Sequence, residues 1–482
     1  MRAKLLLLFY LLPVTFLFLS GCGAKRTPNL ERIFAEARTR TGKRPIIVIP
    51  GILGSELVNR ETGKVAWPSA FRVSDNDLRL PISPDLKANR DDLVPSKILD
   101  TIKLARLVPD VYIYHHLLIA LSKYGGYTEG DWENPGATGD RDTFYVFPYD
   151  WRRDNVESAR ELIERIERLK QKLHRPDLRF NIVAHSMGGL IARYAARYGG
   201  ADLPVDESPA VPTWAGASGI NKIFMLGTPN EGSADAFSTL LQGYSLTEGL
   251  RRRIRLLNKL SREDALTAPS IFQLMPHSGM VHFLDGNLEP LKVDLYDPAV
   301  WRYYNWAAIS DPKFRRQYEQ GEEAAEAHAA PNVLDAYFAA VLKRAKAFHA
   351  ALDAPLEGEP PVPLFAFGGD CEETLFAPVL LRDEKKGRWV TLTEPRELRL
   401  SNGRKVSKAE VTRVMYAPGD GRVTRRSLLA ETLAETRRAS QLFETSLPIV
   451  YAVFACDLHG ELQNNKTLQD NALTALVSEA MK

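Results

Sequence analysis

The ten residues from Asn181 to Leu190 (NIVAHSMGGL) restrict the possible folds of this chain more than any other segment. An apolar stretch typical of a strand runs directly into Ser186, and a helical pattern follows. A serine on a strained strand-to-helix turn needs small residues two positions before and after it, and these are Ala184 and Gly188. The pattern therefore predicts a nucleophilic hydroxyl at a strand end. The alternative, a serine that only caps the helix, needs no small residues on both sides.

Strand and helix patterns alternate along much of the chain. Such alternation predicts an α/β fold with a mainly parallel sheet. The continuous apolar run Ile46–Ile49 is typical of a parallel strand that is covered on both faces. Further strands are predicted at 143–147, 180–184, 222–226, 362–367 and 447–454, and helices at 111–124, 158–173 and 190–198.

The same patterns predict the domain organisation. Residues 1–21 form a signal peptide and residues 22–43 a polar tether. The core of the sheet comprises 44–232, with a lid-like loop at about 55–110, and 360–482, with polar β-hairpins at 375–414. Between the two parts, residues 233–359 form an inserted, mostly helical cap.

The N-terminus predicts a lipid anchor. Cations at Arg2 and Lys4 precede a short apolar run that ends in Leu19-Ser20-Gly21-Cys22. This ending resembles the lipobox of bacterial lipoproteins, in which the cysteine is lipidated, and it implies a membrane lipoprotein of the bacterial cell envelope, on the periplasmic or outer-membrane face. The alternative is an ordinary secretory signal with an incidental Cys22.

Charge and cysteine content exclude several other classes of protein. The formal net charge of +3 leaves no basic surface of the kind that binds nucleic acid. His115 and His116 have no nearby cysteine or histidine ligands, so no metal site is expected. Cys371 and Cys456 follow two predicted strands, so they can form a disulfide across the sheet edge or remain free thiols.

A serine nucleophile requires a histidine base and a carboxylate to orient that base. In sheets of this type they follow in the order Ser, Asp, His, each after a later strand. His459 follows the last apolar strand, and Asp420 lies in a glycine-flanked loop before it. Asp370, directly after the preceding strand, is the rival acid, whereas Asp457 is too close to His459 in the chain.

The transition state also needs two N–H donors for the developing oxyanion. The expected donors are the backbone amides of Met187, which follows the nucleophile, and of Ile52, in the loop after the first strand. The alternative is that Gly51 and Gly54 only shape a turn there. His185 precedes the serine, and we expect its side chain to point away.

Several longer motifs occur in one order along the chain. They are PIIVIPGILGSEL at 45–57, FPYDWR at 147–152, HSMGG at 185–189, MLGTPNEGS at 225–233, APSIFQLMP at 268–276 and GDGRVTRRS at 419–427. Together they resemble the lecithin:cholesterol acyltransferase family, which includes lysosomal phospholipase-type enzymes. The resemblance implies an α/β hydrolase fold with Ser186 as nucleophile, Asp420 as acid, His459 as base, and Ile52 and Met187 as oxyanion donors.

The resemblance also implies the activity. The enzyme takes a fatty acyl group from a glycerophospholipid or other ester lipid and passes it to an alcohol or to water, without a cofactor. Trp67 matches a family tryptophan that contacts the acyl chain, although core packing is the alternative. The Asp150-Trp151-Arg152 signature is expected to fix the start of the next helix. A general esterase or lipase of the same mechanism is the alternative function, and an inactive envelope scaffold belongs to a different class.

Overall fold

A computed structural model describes residues 27–69, 78–102, 111–245, 259–277, 283–320, 332–355, 358–431 and 445–478. Its centre is a seven-stranded sheet in which every neighbouring pair is parallel. This confirms the predicted α/β class. Across the sheet the strands are Ile449–Ala455, Leu364–Gly369, Ile220–Leu226, Phe180–His185, Ile46–Ile49, Thr143–Val146 and Thr128–Glu129.

The central strands are apolar because both of their faces are covered. All four residues of Ile46–Ile49 are buried, and the strand pairs with a neighbour on each side. Parallel strands in such a position cannot alternate between polar and apolar side chains. Their carboxyl ends lie at one edge of the sheet, and the loops that follow them form the site described below.

Helices cover the sheet. The longest helix of the first part of the chain, Asn155–Lys172, begins at Asp154, whose side chain accepts a hydrogen bond from the Val156 amide. The α-helices are Leu30–Ile33, His115–Ile119, Asn155–Lys172, Met187–Tyr198, Ala234–Gln242, Arg262–Thr267, Pro269–Phe272, Pro298–Tyr304, Pro312–Gln320, Val333–Asp353, Lys408–Met415, Arg425–Leu429 and Lys466–Val477. Ala120–Tyr124 is a π-helical turn, and Ala37–Thr39, Ala215–Ser218, Ala308–Ser310 and His459–Asn464 are 3₁₀ turns.

The segment predicted as a lid-like loop at 55–110 contains a small sheet. Ser55–Asn59 pairs antiparallel with both Val65–Trp67 and Leu93–Ile98. The strands are short and partly exposed, and Pro95 lies inside the last of them. A pattern of this kind is weak in sequence, because turn residues are mixed with residues that alternate in burial.

The predicted cap and the predicted hairpin region share a second sheet. Phe283–Leu284 pairs with Pro290–Leu291 and, across the predicted boundary at 359, with Val379–Asp383, which pairs with Arg388–Leu392. The hairpin region is also not wholly β, because it includes the helix Lys408–Met415. The described parts of 233–359 are mostly helical, and residues 321–331 lie outside the described part of the chain.

Two predictions at the N-terminal side need correction. A helix was expected over 111–124, but Val111–Tyr112 is a strand and the helix begins at His115. Part of the predicted tether at 22–43 packs on the core, because Leu30 and Phe34 are each 3% exposed within an apolar cluster. The predicted signal peptide and Cys22 lie outside the described residues. Within the described chain, no helix has the length and apolar character needed to cross a bilayer.

Arg152 of the predicted signature is a buried connection between distant segments. Its guanidinium group donates two hydrogen bonds to Asp91, at 2.6 and 2.8 Å, and two to Asp150, at 3.0 and 2.8 Å. The two carboxylates outweigh the cost of burial and hold the pKa of Arg152 above its ordinary value. Arg152 therefore fixes the segment before the strand Leu93–Ile98 against the end of a sheet strand, a wider role than starting a helix.

Candidate active site

Ser186 lies at the turn between the strand Phe180–His185 and the helix Met187–Tyr198. Its φ of 53° is in the left-handed region, a backbone conformation that residues with a Cβ atom rarely adopt. Its amide donates to the carbonyl oxygen of Leu226 on the neighbouring strand, at 2.8 Å. The sheet thus holds a strained serine at the edge where the strands end, as the sequence pattern predicted.

The turn is tight enough to require glycine at two positions. A Cβ atom at Gly188 would lie 2.6 Å from the Pro50 carbonyl oxygen. One at Gly51 would lie 2.9 Å from the Cβ atom of Ser186. The loop after the first strand therefore packs directly against the serine, and neither contact leaves room for a side chain.

The structure brings Ser186, His459 and Asp420 together. The Ser186 hydroxyl and the His459 Nε2 atom are 2.9 Å apart, and His459 Nδ1 is 2.8 Å from Asp420 Oδ2. All three residues are less than 9% exposed. A hydrogen on Nδ1 that is donated to the carboxylate leaves Nε2 as the acceptor for the serine hydroxyl, so one neutral tautomer satisfies both contacts.

Asp420 is held by its own loop. Its Oδ1 atom accepts the amides of Arg422 and Val423, at 3.0 and 2.7 Å, while its carbonyl oxygen accepts the His459 amide at 2.8 Å. The rival Asp370 makes no hydrogen bond to His459 in the described contacts. Asp457 accepts hydrogen bonds from the Leu458 amide and the Asn465 side chain, and these shape the loop that carries His459.

The two predicted oxyanion donors lie on either side of the serine. Ile52 lines the same cavity as Ser186, and Met187 begins the helix behind it. In the described structure neither backbone amide donates to another group of the protein. Both N–H groups therefore remain the predicted donors to a substrate oxygen.

A mostly apolar cavity opens beside Ser186. Its free space is about 930 Å³, counting the open solvent at its mouth. Arg422 and Asp235 also line it, and they form an ion pair at 2.6 Å. The apolar lining residues are Ile52, Leu53, Leu99, Ile113, Ala236, Leu260, Ile271, Leu274 and Val423.

Trp67 is not among the described residues that line this cavity. It is 1% exposed, its ring lies edge-on to Trp151 at 5.7 Å, and its Nε1 atom donates to the Leu53 carbonyl oxygen at 2.9 Å. These contacts are those of a core residue. The alternative of core packing therefore fits the structure, and contact with an acyl chain does not, although Trp67 supports the loop that carries Leu53.

Cys371 and Cys456 form a disulfide, with their Cα atoms 5.3 Å apart. Of the two alternatives given by the sequence, a disulfide or two free thiols, the structure has the disulfide. Cys371 precedes the strand Glu372–Leu375, which pairs with Tyr416–Gly419 and so leads to Asp420. The bond thus joins the ribbon that carries the acid to the loop that carries the base. Because the two sulfur atoms bond each other, they offer no pair of thiolates to a metal ion.

The sequence did not indicate two residues of the site, Tyr114 and His185, as partners in hydrogen bonds next to the catalytic groups. Tyr114 Oη lies 2.9 Å from His185 Nδ1, and His185 Nε2 lies 3.1 Å from the His459 carbonyl oxygen. His185 was expected to point away from the serine; it lines the same cavity as Ser186, and its described hydrogen bonds go to other partners. No sequence pattern indicates its partner, because Tyr114 is 71 residues away in the chain.

Residues 112–320 match the family model described as lecithin:cholesterol acyltransferase. The match extends over less than half of the chain, and over that part it supports the predicted resemblance to this family. The lecithin:cholesterol acyltransferase match supports an enzyme of lipid esters in general terms, a hydrolase or an acyltransferase. A search of curated proteins found no match.

The fold has solved relatives. One chain of the Tle4–Tli4 complex aligns with a TM-score of 0.56 and 16% identity, covering 92% of this chain and 100% of that one. At this identity the likeness concerns the fold alone. Lipase BlEst2 of Bacillus licheniformis (TM-score 0.32, 10% identity, 95% and 97% coverage) and EstA of Clostridium botulinum (0.32, 11%, 93% and 91%) are more distant and carry no argument.

Proposed function

We propose that the protein is a serine-dependent enzyme that takes a fatty acyl group from a glycerophospholipid onto Ser186 and passes it to an alcohol or to water. One observation carries this proposal. The hydroxyl of a strained serine donates to a histidine that a buried carboxylate orients, beside an apolar cavity. The family match adds the class of substrate.

In the first half of the reaction, Ser186 Oγ attacks the ester carbonyl carbon while His459 Nε2 takes the hydroxyl proton. Asp420 stabilises the imidazolium that forms. The carbonyl oxygen becomes an oxyanion, which the Ile52 and Met187 amides bind. When the C–O bond to the lysolipid breaks, His459 returns its proton to the departing oxygen, and an acyl-serine remains.

In the second half, an alcohol or a water molecule attacks the acyl-serine. His459 Nε2 takes its proton and then returns that proton to Ser186 Oγ as the acyl–serine bond breaks. Water can always reach this step, so transfer depends on an acceptor alcohol that occupies the position of the attacking water. We therefore expect hydrolysis in every assay and transfer only when alcohol is added.

Labelling with a fluorophosphonate probe tests the nucleophile. The serine oxygen forms a bond to phosphorus, fluoride leaves, and the wild-type protein becomes covalently labelled. Ser186→Ala should abolish labelling. Ser233→Ala should keep it, because the Ser233 hydroxyl lines the same cavity but donates to the Arg422 carbonyl oxygen at 2.5 Å and not to a histidine. An unlabelled wild type would support the scaffold alternative.

Incubation with acyl-labelled phosphatidylcholine vesicles tests the substrate. The expected products are free fatty acid alone in buffer, and fatty acid plus a new ester when a long-chain alcohol is present. Hydrolysis of p-nitrophenyl butyrate without any turnover of vesicles would favour the general esterase.

We also propose that Cys22 is lipidated and anchors the enzyme to a membrane of the bacterial envelope. The support is the sequence Leu19-Ser20-Gly21-Cys22 after a short apolar run. Cys22→Ser should give an exported protein without lipid that is released from membranes. Mass spectrometry that finds an unmodified Cys22 in the mature wild type would contradict this proposal.

A further inference from the structure

A buried chain of hydrogen bonds connects the loop after the first strand with the backbone of His459. The Gly51 amide donates to Tyr114 Oη at 2.8 Å, and Tyr114 Oη lies 2.9 Å from His185 Nδ1. His185 Nε2 lies 3.1 Å from the carbonyl oxygen of His459. Tyr114 is 1% and His185 8% exposed, so water does not compete freely for these contacts.

The direction of each hydrogen bond follows from the two groups at the ends of this chain of hydrogen bonds. The Gly51 amide can only donate, so the Tyr114 oxygen accepts there and its own hydrogen is free to be donated to His185 Nδ1. The carbonyl oxygen of His459 can only accept, so His185 Nε2 carries the hydrogen at the other end. Both ends therefore select the same neutral tautomer of His185.

The surroundings of His185 keep it in that neutral form. Burial and, to a smaller extent, the neighbouring ring of His459 lower the pKa of His185 to about 3, against the opposing effects of the hydrogen bond to the His459 carbonyl and of Asp420. His185 therefore does not compete for the proton that His459 is proposed to take from Ser186. It can hold its two hydrogen bonds throughout the reaction.

We propose that Tyr114 and His185 are positioning residues that hold the oxyanion donor of Ile52 and the base His459 at a fixed separation. The inference rests on the proposed function, because acyl transfer uses both groups at one ester carbonyl: the Ile52 amide binds its oxygen, and His459 activates the serine that attacks its carbon. Ile52 directly follows Gly51, so an anchored Gly51 amide fixes where the Ile52 amide points. His185 links that anchor to the backbone of the base.

Loss of either residue should act on the chemical step. Tyr114→Phe leaves the Gly51 amide without an acceptor, and the loop must shift to find one. His185→Leu removes both hydrogen bonds of the imidazole. Displacements of about 1 Å in such groups cost on the order of 100-fold in rate. We expect kcat for p-nitrophenyl butyrate and the rate constant of fluorophosphonate labelling each to fall by about 10- to 100-fold, while KM changes by less than about threefold.

Two comparisons distinguish positioning from a general structural defect. His185→Gln retains a donor near the position of Nε2 and should recover part of the rate that His185→Leu loses. The double variant Tyr114→Phe/His185→Leu should be no slower than the slower single variant, because both changes break the same chain of hydrogen bonds. Thermal unfolding of each variant shows whether the protein is folded in the assay.

The outcomes separate this inference from the proposed function. Labelling of wild-type protein that Ser186→Ala abolishes keeps the proposed function, whatever the other variants do. If Tyr114→Phe and His185→Leu label at the wild-type rate, or if their losses multiply in the double variant, the positioning role is overturned. Should Tyr114→Phe not fold, His185→Gln and His185→Leu still decide the question, because equal rates for these two contradict it.

Discussion

The Nδ1 atom of His459 lies 2.8 Å from the Oδ2 atom of Asp420, and the amide of the same histidine donates to the carbonyl oxygen of the same aspartate. Asp420→Asn would offer an amide donor to Nδ1 and favour the tautomer that cannot accept the Ser186 proton. We expect kcat to fall by about 10⁴-fold. Asp370→Asn is the matched control and should stay within about twofold of wild type, because no described hydrogen bond joins Asp370 to His459. The reverse pattern would make Asp370 the acid.

The disulfide between Cys371 and Cys456 closes a loop of 85 residues and joins the Asp420 ribbon to the His459 loop. Cys371→Ser should lower the free energy of unfolding by about 2–4 kcal/mol, as measured in denaturant without reductant. Cys456→Ser should give the same loss, because either change removes the same bond.

Alkylation of the denatured, unreduced protein checks the bond directly. Peptide mass spectrometry should find Cys371 and Cys456 unmodified before reduction and alkylated after it. Full alkylation of both cysteines before reduction would show that the bond is absent.

Trp67→Ala tests the difference between core packing and acyl-chain contact. A buried tryptophan that is truncated to alanine costs about 3–5 kcal/mol of stability. Trp67→Phe keeps an apolar ring and loses mainly the hydrogen bond to Leu53, worth about 1 kcal/mol. We expect any loss of activity to be the same fraction for p-nitrophenyl butyrate and for phospholipid vesicles. A loss on vesicles alone, with unchanged stability, would restore the acyl-chain role.

Ala236→Phe tests the proposed acyl site. Ala236 lines the cavity from the helix Ala234–Gln242, and a phenyl ring there would fill space that a long acyl chain needs. Turnover of phospholipids with 16-carbon chains should fall by about tenfold or more, while acetyl and butyryl esters remain substrates, a 1.4 kcal/mol effect or larger. Gln242→Phe, at the exposed end of the same helix, is the control. An equal loss for all chain lengths would place the chain elsewhere.

Acid should reduce the stability advantage of His185. Its native pKa of about 3 is below the ordinary value of 6.5, so the unfolded chain binds a proton that the native state does not. The contribution of neutral His185 to the free energy of unfolding is therefore complete above pH 6.5 and is lost as the pH falls toward 3. The difference in unfolding free energy between wild type and His185→Gln should shrink by about 1.4 kcal/mol for each pH unit well below 6.5. Parallel curves would contradict the low pKa.

The central sheet could be predicted because its strands are long apolar runs with no alternation. The predicted ranges for six of its seven strands, such as 180–184 for Phe180–His185, agree with the structure to within a few residues. Asp420 follows the short strand Tyr416–Gly419, which was not predicted, and it was chosen from its glycine-flanked loop and the family resemblance. Ser186 and His459 could be placed because each follows a strand whose end is visible in the sequence. The predicted strand ends therefore indicated that Ser186 and His459 lie at the same edge of the sheet.

What the sequence did not reveal depends on contacts between distant segments. Short strands such as Ser55–Asn59 form because Leu93–Ile98 pairs with them, and Trp67 is buried because Trp151 packs against it. The helix Lys408–Met415 is different, because the pattern Ser407-x-x-Glu410 is a capping box and was available as a signal. Residues that were expected to form a tether pack on the core through two apolar side chains.

The cavity beside Ser186 has two walls that differ in their freedom to change. One wall belongs to the loops that also set the position of the serine and the histidine, where Gly51 cannot accept even one more carbon atom. The other wall is formed by side chains such as Ala236, Ile271 and Leu274, whose sizes set the shape of the free space and the packing of the core around it. Natural and engineered variants of this protein should therefore acquire new substrates through substitutions in the second wall, while the residues of the first wall stay unchanged.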